Sequence, residues 1–435
     1  MFRLKTLTSV ALAALAGAAG MAVGVGSANA QSAAPAPAPT VTTRWNGSPE
    51  TREEDRRFHV SGRFMYDIAY TDADYAANNG GAFESGVRSY ARRAFIGVDG
   101  RLTEQWRYNA KFDFAVGGTT NVDDFYLEYA GADYSLFFGN SNAVSPMEDR
   151  DSSLNIPFNE RSFLITAAGF GKRPGIAFLT NGGNWSIGAA VQGNDALSTA
   201  DTASNGSESY FGISRATWAP IYQSTPEGTT FLHLGVNARY RNNGDGNANT
   251  LDGTIAYSPS ALSNKASNNA GVGAAAGDTY LGAEFAYQHN AFGFDGEYGQ
   301  IATRDFKGSA TQLGDADITG YYVDFFWSPT GESRRYNAAD GSFGAVTPFR
   351  TLGSDGGIGH IMLSARYESL DLSDANFGAN RNETTAYTVG ASWVPVGHVK
   401  FQLNYSSTDV DYAAAAPTRL DNTIDAVTLR TQFDW

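Results

Sequence analysis

The chain has 435 residues, with 45 acidic against 31 basic side chains and no cysteine. Without Cys there is no disulfide framework and no thiolate metal or redox chemistry, and an acidic balance is the opposite of what a nucleic-acid binder carries. Its 22 Tyr, 27 Phe and 7 Trp sit among 49 Gly, a composition that suits a large β-structure.

The first element is a targeting signal. Arg3 and Lys5 precede the small apolar run Leu7 to Val25, and Ala28-Asn29-Ala30 supplies the small residues of a cleavage site. Residues 1–30 therefore read as a secretory signal peptide cut after Ala30. The run is too rich in Gly and Ala for a retained helix. Cleavage leaves 29 basic residues against the 45 acidic ones. Residues 31–40, QSAAPAPAPT, are Pro/Ala-rich and extended. With the charged stretch that follows they form a flexible segment, 31–57, in which little order is expected.

Period-two alternation begins at Phe58 and continues to the last residue. Phe58, Val60, Phe64, Tyr66, Ile68 and Tyr70 oppose His59, Ser61, Arg63 and Asp67. Trp106, Tyr108 and Phe112 oppose Arg107, Asn109 and Lys111, while Leu232, Leu234 and Val236 oppose His233, Asn237 and Arg239. About sixteen such segments follow one another, and no run after Ala30 approaches the roughly 20 apolar residues of a membrane helix. Some joins are short, as at Asp99-Gly100-Arg101 and Pro395-Val396-Gly397. Others are long and polar, as at Asn242 to Asp278 and Gly331 to Gly356. The expected fold is all-β: a transmembrane antiparallel β-barrel over residues 58–435, with short turns on one rim and long loops on the other. A bilayer leaves no backbone group unpaired, so the last strand has to close onto the first. Tyr70, Trp106, Tyr129, Trp185, Trp218, Trp327, Trp393 and Trp435 are candidates for aromatic girdles.

Several stretches resemble the phosphate-selective porin O/P family. Gly62-Arg63 with Asp67 is one, and RRAFIGVDGRLTEQWRYNAKFDFA, residues 92–115, is another. The most specific is SSLNIPFNERSFLITAAGFGKRPGI, residues 152–176, which joins a serine-rich turn to Phe158, Glu160, Arg161, Gly171, Lys172 and Arg173. The likeness runs from about Phe58 to Trp435 and is dense between Gly62 and Asp195. It implies a sixteen-stranded homotrimeric channel in the outer membrane of a Gram-negative bacterium. It also implies a long loop, Asn140 to Gly175, folded inward as a constriction. The terminal Phe433-Asp434-Trp435 resembles the signal read by the barrel-insertion machinery.

Strand parity turns Arg63, Arg93, Arg107, Lys111, Arg239, Arg241, Arg366, Lys400 and Arg430 to the lumen, with Asp67, Asp99, Asp113, Glu284, Asp324, Glu368 and Asp434. The loop adds Arg150, Arg161, Lys172 and Arg173 against Glu148, Asp149, Asp151 and Glu160. Two readings stand for Arg161 and Glu160: a charge filter in which Glu160 orients Arg161, or a pair that pins the loop to the wall. Lys172 and Arg173 belong to the filter or to a rim facing lipopolysaccharide phosphates. The expected partners are small polar or anionic solutes such as phosphate, together with outer-membrane lipid and lipopolysaccharide. Passage would be passive, with no cofactor and no metal. His59, His233, His289, His360 and His398 lack metal-site spacing, there is no G-x-S-x-G, and residues 242–252 lack EF-hand spacing. A barrel enzyme and a receptor or envelope anchor remain the alternatives.

Overall fold

A computed structural model describes residues 42–45, 47–74, 85–115, 120–193, 210–225, 228–242, 275, 277–304, 306–308, 311–353, 356–376, 381–412 and 421–435. The signal peptide, the Pro/Ala stretch 31–40 and the oxygen-rich residues 243–252 lie outside them. Sixteen strands form the barrel wall. They are β1 Arg56–Ala73, β2 Gly86–Arg101, β3 Trp106–Asp113, β4 Asn121–Ala130 and β5 Tyr134–Ser141. Next come β6 Arg173–Asn181, β7 Trp185–Gln192, β8 Tyr210–Thr225, β9 Gly228–Asn242, β10 Gly277–His289 and β11 Phe292–Arg304. The wall ends with β12 Asp317–Trp327, β13 His360–Leu372, β14 Asn382–Val394, β15 Val399–Tyr412 and β16 Asn422–Asp434.

Every strand pairs antiparallel with its sequence neighbours, and β16 closes onto β1 from Ile424 opposite Ala73 to Asp434 opposite Arg63. Closure removes the edge that a bilayer cannot tolerate. The alternation seen in the sequence is the alternation of the wall: along β7 exposed and buried residues succeed one another without exception. Ile68, Tyr70, Val191 and Val236 are exposed outward, where lipid is their solvent. Outward Trp106, Trp185, Trp218, Trp327 and Trp393 all sit toward the rim that carries the short turns. The opposite rim carries tyrosines instead, such as the Tyr210–Tyr240 pair. Both residue types suit the lipid headgroup layer, having an apolar ring with a polar atom.

Two departures from expectation concern the short-turn rim, the periplasmic one in barrels of this kind. First, the charged stretch before Phe58 is ordered. Thr42–Trp45 and Pro49–Glu53 form a hairpin whose second strand pairs with the start of β1. Its charges satisfy one another: Glu50 takes 2.9 Å from Arg57, which also reaches Asp99 at 2.9 Å. Second, the long join between β12 and β13 is not an outer loop. Its strands share a rim with the turns at 182–184, 290–291 and 395–398. From there a small hairpin, Arg335–Asn337 with Ser342–Gly344, packs inside the barrel. Tyr336 stacks on the inward Phe231 at 4.2 Å, and Phe343 joins them. Buried Arg215 donates to the carbonyls of Asp340 and Gly341 while pairing with Glu284 at 2.7 Å.

Candidate functional site

The loop between β5 and β6 folds inward, as expected, and carries two short helices, α1 Met147–Arg150 and α2 Phe163–Ala168. Ser162 caps α2, and Gly169, in the left-handed region at φ 60°, ends it. The loop lies against one side of the barrel, held there by luminal charges. Arg366 forks onto Asp324 at 2.7 Å and reaches Glu148 at 2.6 Å. Arg430 pairs with Asp67 at 2.7 Å and donates to the Asn159 carbonyl. Arg239 joins Asp278 to the Ala168 carbonyl, Arg241 also pairs with Asp278, and Lys400 donates to the Leu154 carbonyl at 2.7 Å. These charges are desolvated, and such pairs persist only when each partner is matched in this way.

On its other side the loop leaves a space of about 970 Å³ against β1 to β5. Arg63, Arg92, Arg93, Lys111, Arg150, Arg161, Lys172 and Arg173 line it, with Asp113, Asp123, Asp124, Asp149 and Asp151. The charges are segregated: arginines on β1 and β2, carboxylates on β3 and β4. Two β-bulges sharpen this. Between Met65 and Tyr66 the register of β1 on β2 slips by one, so Arg92 and Arg93 both serve the luminal side. Between Ala110 and Phe112 the register of β3 on β4 slips, and Asp123 and Asp124 both meet Lys172, at 2.6 and 3.0 Å. A bulge re-aims consecutive side chains that strict alternation would send to opposite faces.

The sequence-predicted residues divide accordingly. Arg63, Lys111, Arg150, Arg161, Lys172 and Arg173 come together around the open space. Lys172 and Arg173 turn inward, Lys172 to Asp123 of β4 and Arg173 over the ring of Phe211. Asp67, Arg239, Arg241, Arg366, Lys400 and Arg430 face inward but hold the loop or one another. Arg107 pairs with Glu128 at 3.5 Å, away from that space. Phe158 lies beneath Arg366, its ring 4.5 Å from the guanidinium, so it faces the wall and not the passage. Glu160 also turns to the wall, taking 2.6 Å from Arg92 and 3.3 Å from Arg430. It therefore does not orient Arg161, which is held by the carbonyls of Glu148, Asp149 and Asp151 at 3.0, 3.4 and 2.8 Å. Burial alone would raise the Glu160 carboxyl, but Arg92 and Arg430 outweigh it and pull it down to about 2.

Among the described residues, Arg63, Arg93 and Arg161 have no carboxylate within ion-pair distance. Arg63 donates instead to the hydroxyls of Ser153 and Ser152 at 2.7 and 2.9 Å. Alternation gave no sign of Arg92, Arg215, Arg334 or the inward periplasmic hairpin. The only signal for the hairpin was the length of its join.

Asp151 marks where loop and hairpin meet: it accepts from the Phe343 backbone N–H at 2.7 Å and faces Arg334 at 3.6 Å. Burial pushes its carboxyl up to about 7 in spite of Arg334. Because the folded value lies above the ordinary 3.8, the stabilisation from Asp151 is complete below about 3.8 and lost as pH rises through about 7. Single-channel current fluctuations should thus grow between pH 5 and 8 in the wild type and stay level in Asp151→Asn. Equal pH dependence in both would take Asp151 out of this contact.

The family model for phosphate-selective porin O and P matches residues 58–435. An uncharacterized protein of Caulobacter vibrioides is 28% identical over 86% of this chain and 73% of its own length. Porin O of Pseudomonas aeruginosa is 24% identical over 85% of this chain and 87% of its own. Among solved structures, in-vitro folded OmpT of Vibrio cholerae in its trimer form superposes with a TM-score of 0.54 at 9% identity, covering 88% of this chain and all of that one. The outer membrane channel DcaP of Acinetobacter baumannii gives 0.50 at 11%, covering 88% and 98%. At such identities these two structures speak to the barrel fold alone. With the family model spanning the whole barrel, this chain belongs to the phosphate-selective porin O and P family and is an outer-membrane channel.

Proposed function

We propose that the channel passes small hydrophilic solutes by diffusion and favours anions of the phosphate class at its constriction. The observation that carries this is the trio Arg63, Arg93 and Arg161, without carboxylate partners among the described residues, around one open space of about 970 Å³. Arg63 stands beside the hydroxyls of Ser152 and Ser153. Guanidinium forks and hydroxyl donors match a tetrahedral oxyanion, and a confined passage strengthens their pull relative to bulk water. On the facing wall Asp123 and Asp124 are matched by Lys172 and Lys111, which leaves the three arginines as the uncompensated charges. Passage needs neither cofactor nor metal. The trimer form of a structural neighbour supports a homotrimer, and the outward apolar face supports contact with lipid and lipopolysaccharide. The C-terminal Phe433 and Trp435 are proposed to be read by the barrel-insertion machinery.

One arrangement invites the enzyme reading. Ser48 Oγ lies 2.9 Å from His59 Nε2, and His59 Nδ1 lies 2.9 Å from Asp99. Yet Ser48 is 1% exposed and its hydroxyl donates to the Val60 carbonyl at 2.5 Å. The chain of bonds supports a brace that seats the hairpin on β1, since a nucleophile must be reachable.

The test is a planar-bilayer recording across a KCl gradient, then with phosphate titrated into chloride. The wild type should reverse on the anion side and be blocked by phosphate. Arg161→Glu should cut the anion-to-cation permeability ratio by roughly threefold or more. A channel indifferent to phosphate with no anion preference would be a general diffusion porin.

A further inference from the structure

Phe95 is out of place by strand parity. It points to the wet side of β2, is 4% exposed, and lines the charged passage. It stands directly across from Arg63 in the β1–β2 pairing, and Arg93 lies two residues before it on the same face. Both guanidiniums rest over its ring, Arg63 at 5.1 Å and Arg93 at 5.5 Å from the centroid. Among the described residues the Arg93 guanidinium makes no hydrogen bond, and it feels the like charges of Arg92, Arg161 and Arg63 against the one opposing charge of Glu160. Like charges so close would swing apart unless something held them. A ring face, negative by its quadrupole, attracts cations without neutralising them.

We propose that Phe95 is the positioning residue of the anion filter: its π face holds Arg63 and Arg93 side by side, converging on the passage, while leaving both charges available to a passing oxyanion. This rests on the anion-filter reading above. A carboxylate in this place would hold the arginines equally well but would cancel the charge that selects. An aliphatic side chain would fill the space but attract neither cation, leaving Arg63 to its two serine hydroxyls and Arg93 unheld.

The decisive variants keep the charge count fixed. Phe95→Leu removes the π face, Phe95→Tyr retains it, and replacing the Phe95 ring by its pentafluoro analogue keeps the shape while reversing the quadrupole. Each is purified as the full-length barrel, checked by its heat-modifiable gel mobility, and recorded in planar bilayers. The readouts are reversal potential, half-blocking phosphate concentration and open conductance. Phe95→Leu and the pentafluoro analogue should raise the half-blocking phosphate concentration roughly five- to thirtyfold, the effect of two cation–π contacts, and lower anion preference. Phe95→Tyr should stay near wild type. Wild-type block and reversal potential in the pentafluoro channel would overturn the proposal, because shape alone would then suffice. The wild-type recording separates the two levels: without anion preference there, the filter reading fails first and the brace with it.

Discussion

Glu160→Gln should widen the channel: single-channel conductance should rise and anion preference should fall, although a negative charge has been removed. A simple charge count predicts the reverse, since losing an acid ought to favour anions. The difference lies in where Glu160 points. Its carboxylate lies between Arg92 of β2 and Arg430 of β16, and Arg430 also carries the Asn159 carbonyl. Glutamine leaves two desolvated arginines facing each other with Asp67 as the remaining local acid, a defect of about 3–5 kcal/mol. The loop can relieve that cost by letting residues 158–161 leave the wall, which opens the lumen and carries Arg161 away from its place. Limited proteolysis should then cut the variant within residues 152–161, where the wild type resists. The pH dependence has a definite sign. With Glu160 held at about 2 against an ordinary 4.5, its contribution is full above about 4.5 and lost as pH falls through about 2. The wild-type loop should therefore stay seated at pH 4. Arg161→Gln, by contrast, should lose selectivity with the Glu160–Arg92 pin intact, although it also frees the carbonyls of Glu148, Asp149 and Asp151. Wild-type conductance and cleavage in Glu160→Gln would sink the pinning role.

Much of this barrel was readable because alternation reports one thing well: which face a side chain takes. Alternation sends Arg63 and Arg366 to the same, inward face of their strands. Alternation says nothing of height or neighbour, so it could not tell that Arg366 lies under the loop against Asp324 while Arg63 lines open space. It fails outright where the strand is not regular. Arg92 and Asp124 owe their luminal positions to single-residue slips, and in a sequence a bulge looks like any other pair of adjacent polar residues. The inward periplasmic hairpin failed for a different reason. Loop length suggests the outer rim, yet rim follows from counting: the join after an even-numbered strand, here β12, returns to the rim of the first strand's start. Such a count depends on every preceding strand, and each strand's own alternation is a weak signal. The hairpin 42–53 leaves no mark in the sequence because a run of charges has the composition of a solvated segment. In the fold Glu50, Arg57, His59 and Asp99 solvate one another.

Gly62→Val should lower the yield of closed barrel several-fold, and it should do so even when folding is carried out in lipid vesicles without any assembly protein. The C-terminal residue does more than end β16. Its backbone exchanges two hydrogen bonds with Gly62, at 3.0 and 3.1 Å, completing the seam between last and first strands. Its ring lies over Gly62, where any Cβ would fall inside the indole, and stacks on Phe433, which packs on Phe64 of β1. The bare glycine is thus the socket for the terminal ring, and burying an indole there is worth about 2–3 kcal/mol of apolar contact. A valine must expel the ring or distort the last backbone pair. If Trp435 serves only as a tag read before closure, Gly62→Val should be silent and Trp435→Ala should act only when assembly proteins are present. If the ring is also a latch, both substitutions should impair unassisted folding. Their combination should then cost less than the sum of the two, because a side chain cannot clash with a ring already removed. Additive losses in the double variant, or full unassisted folding of Gly62→Val, would leave the terminal aromatic as a tag alone.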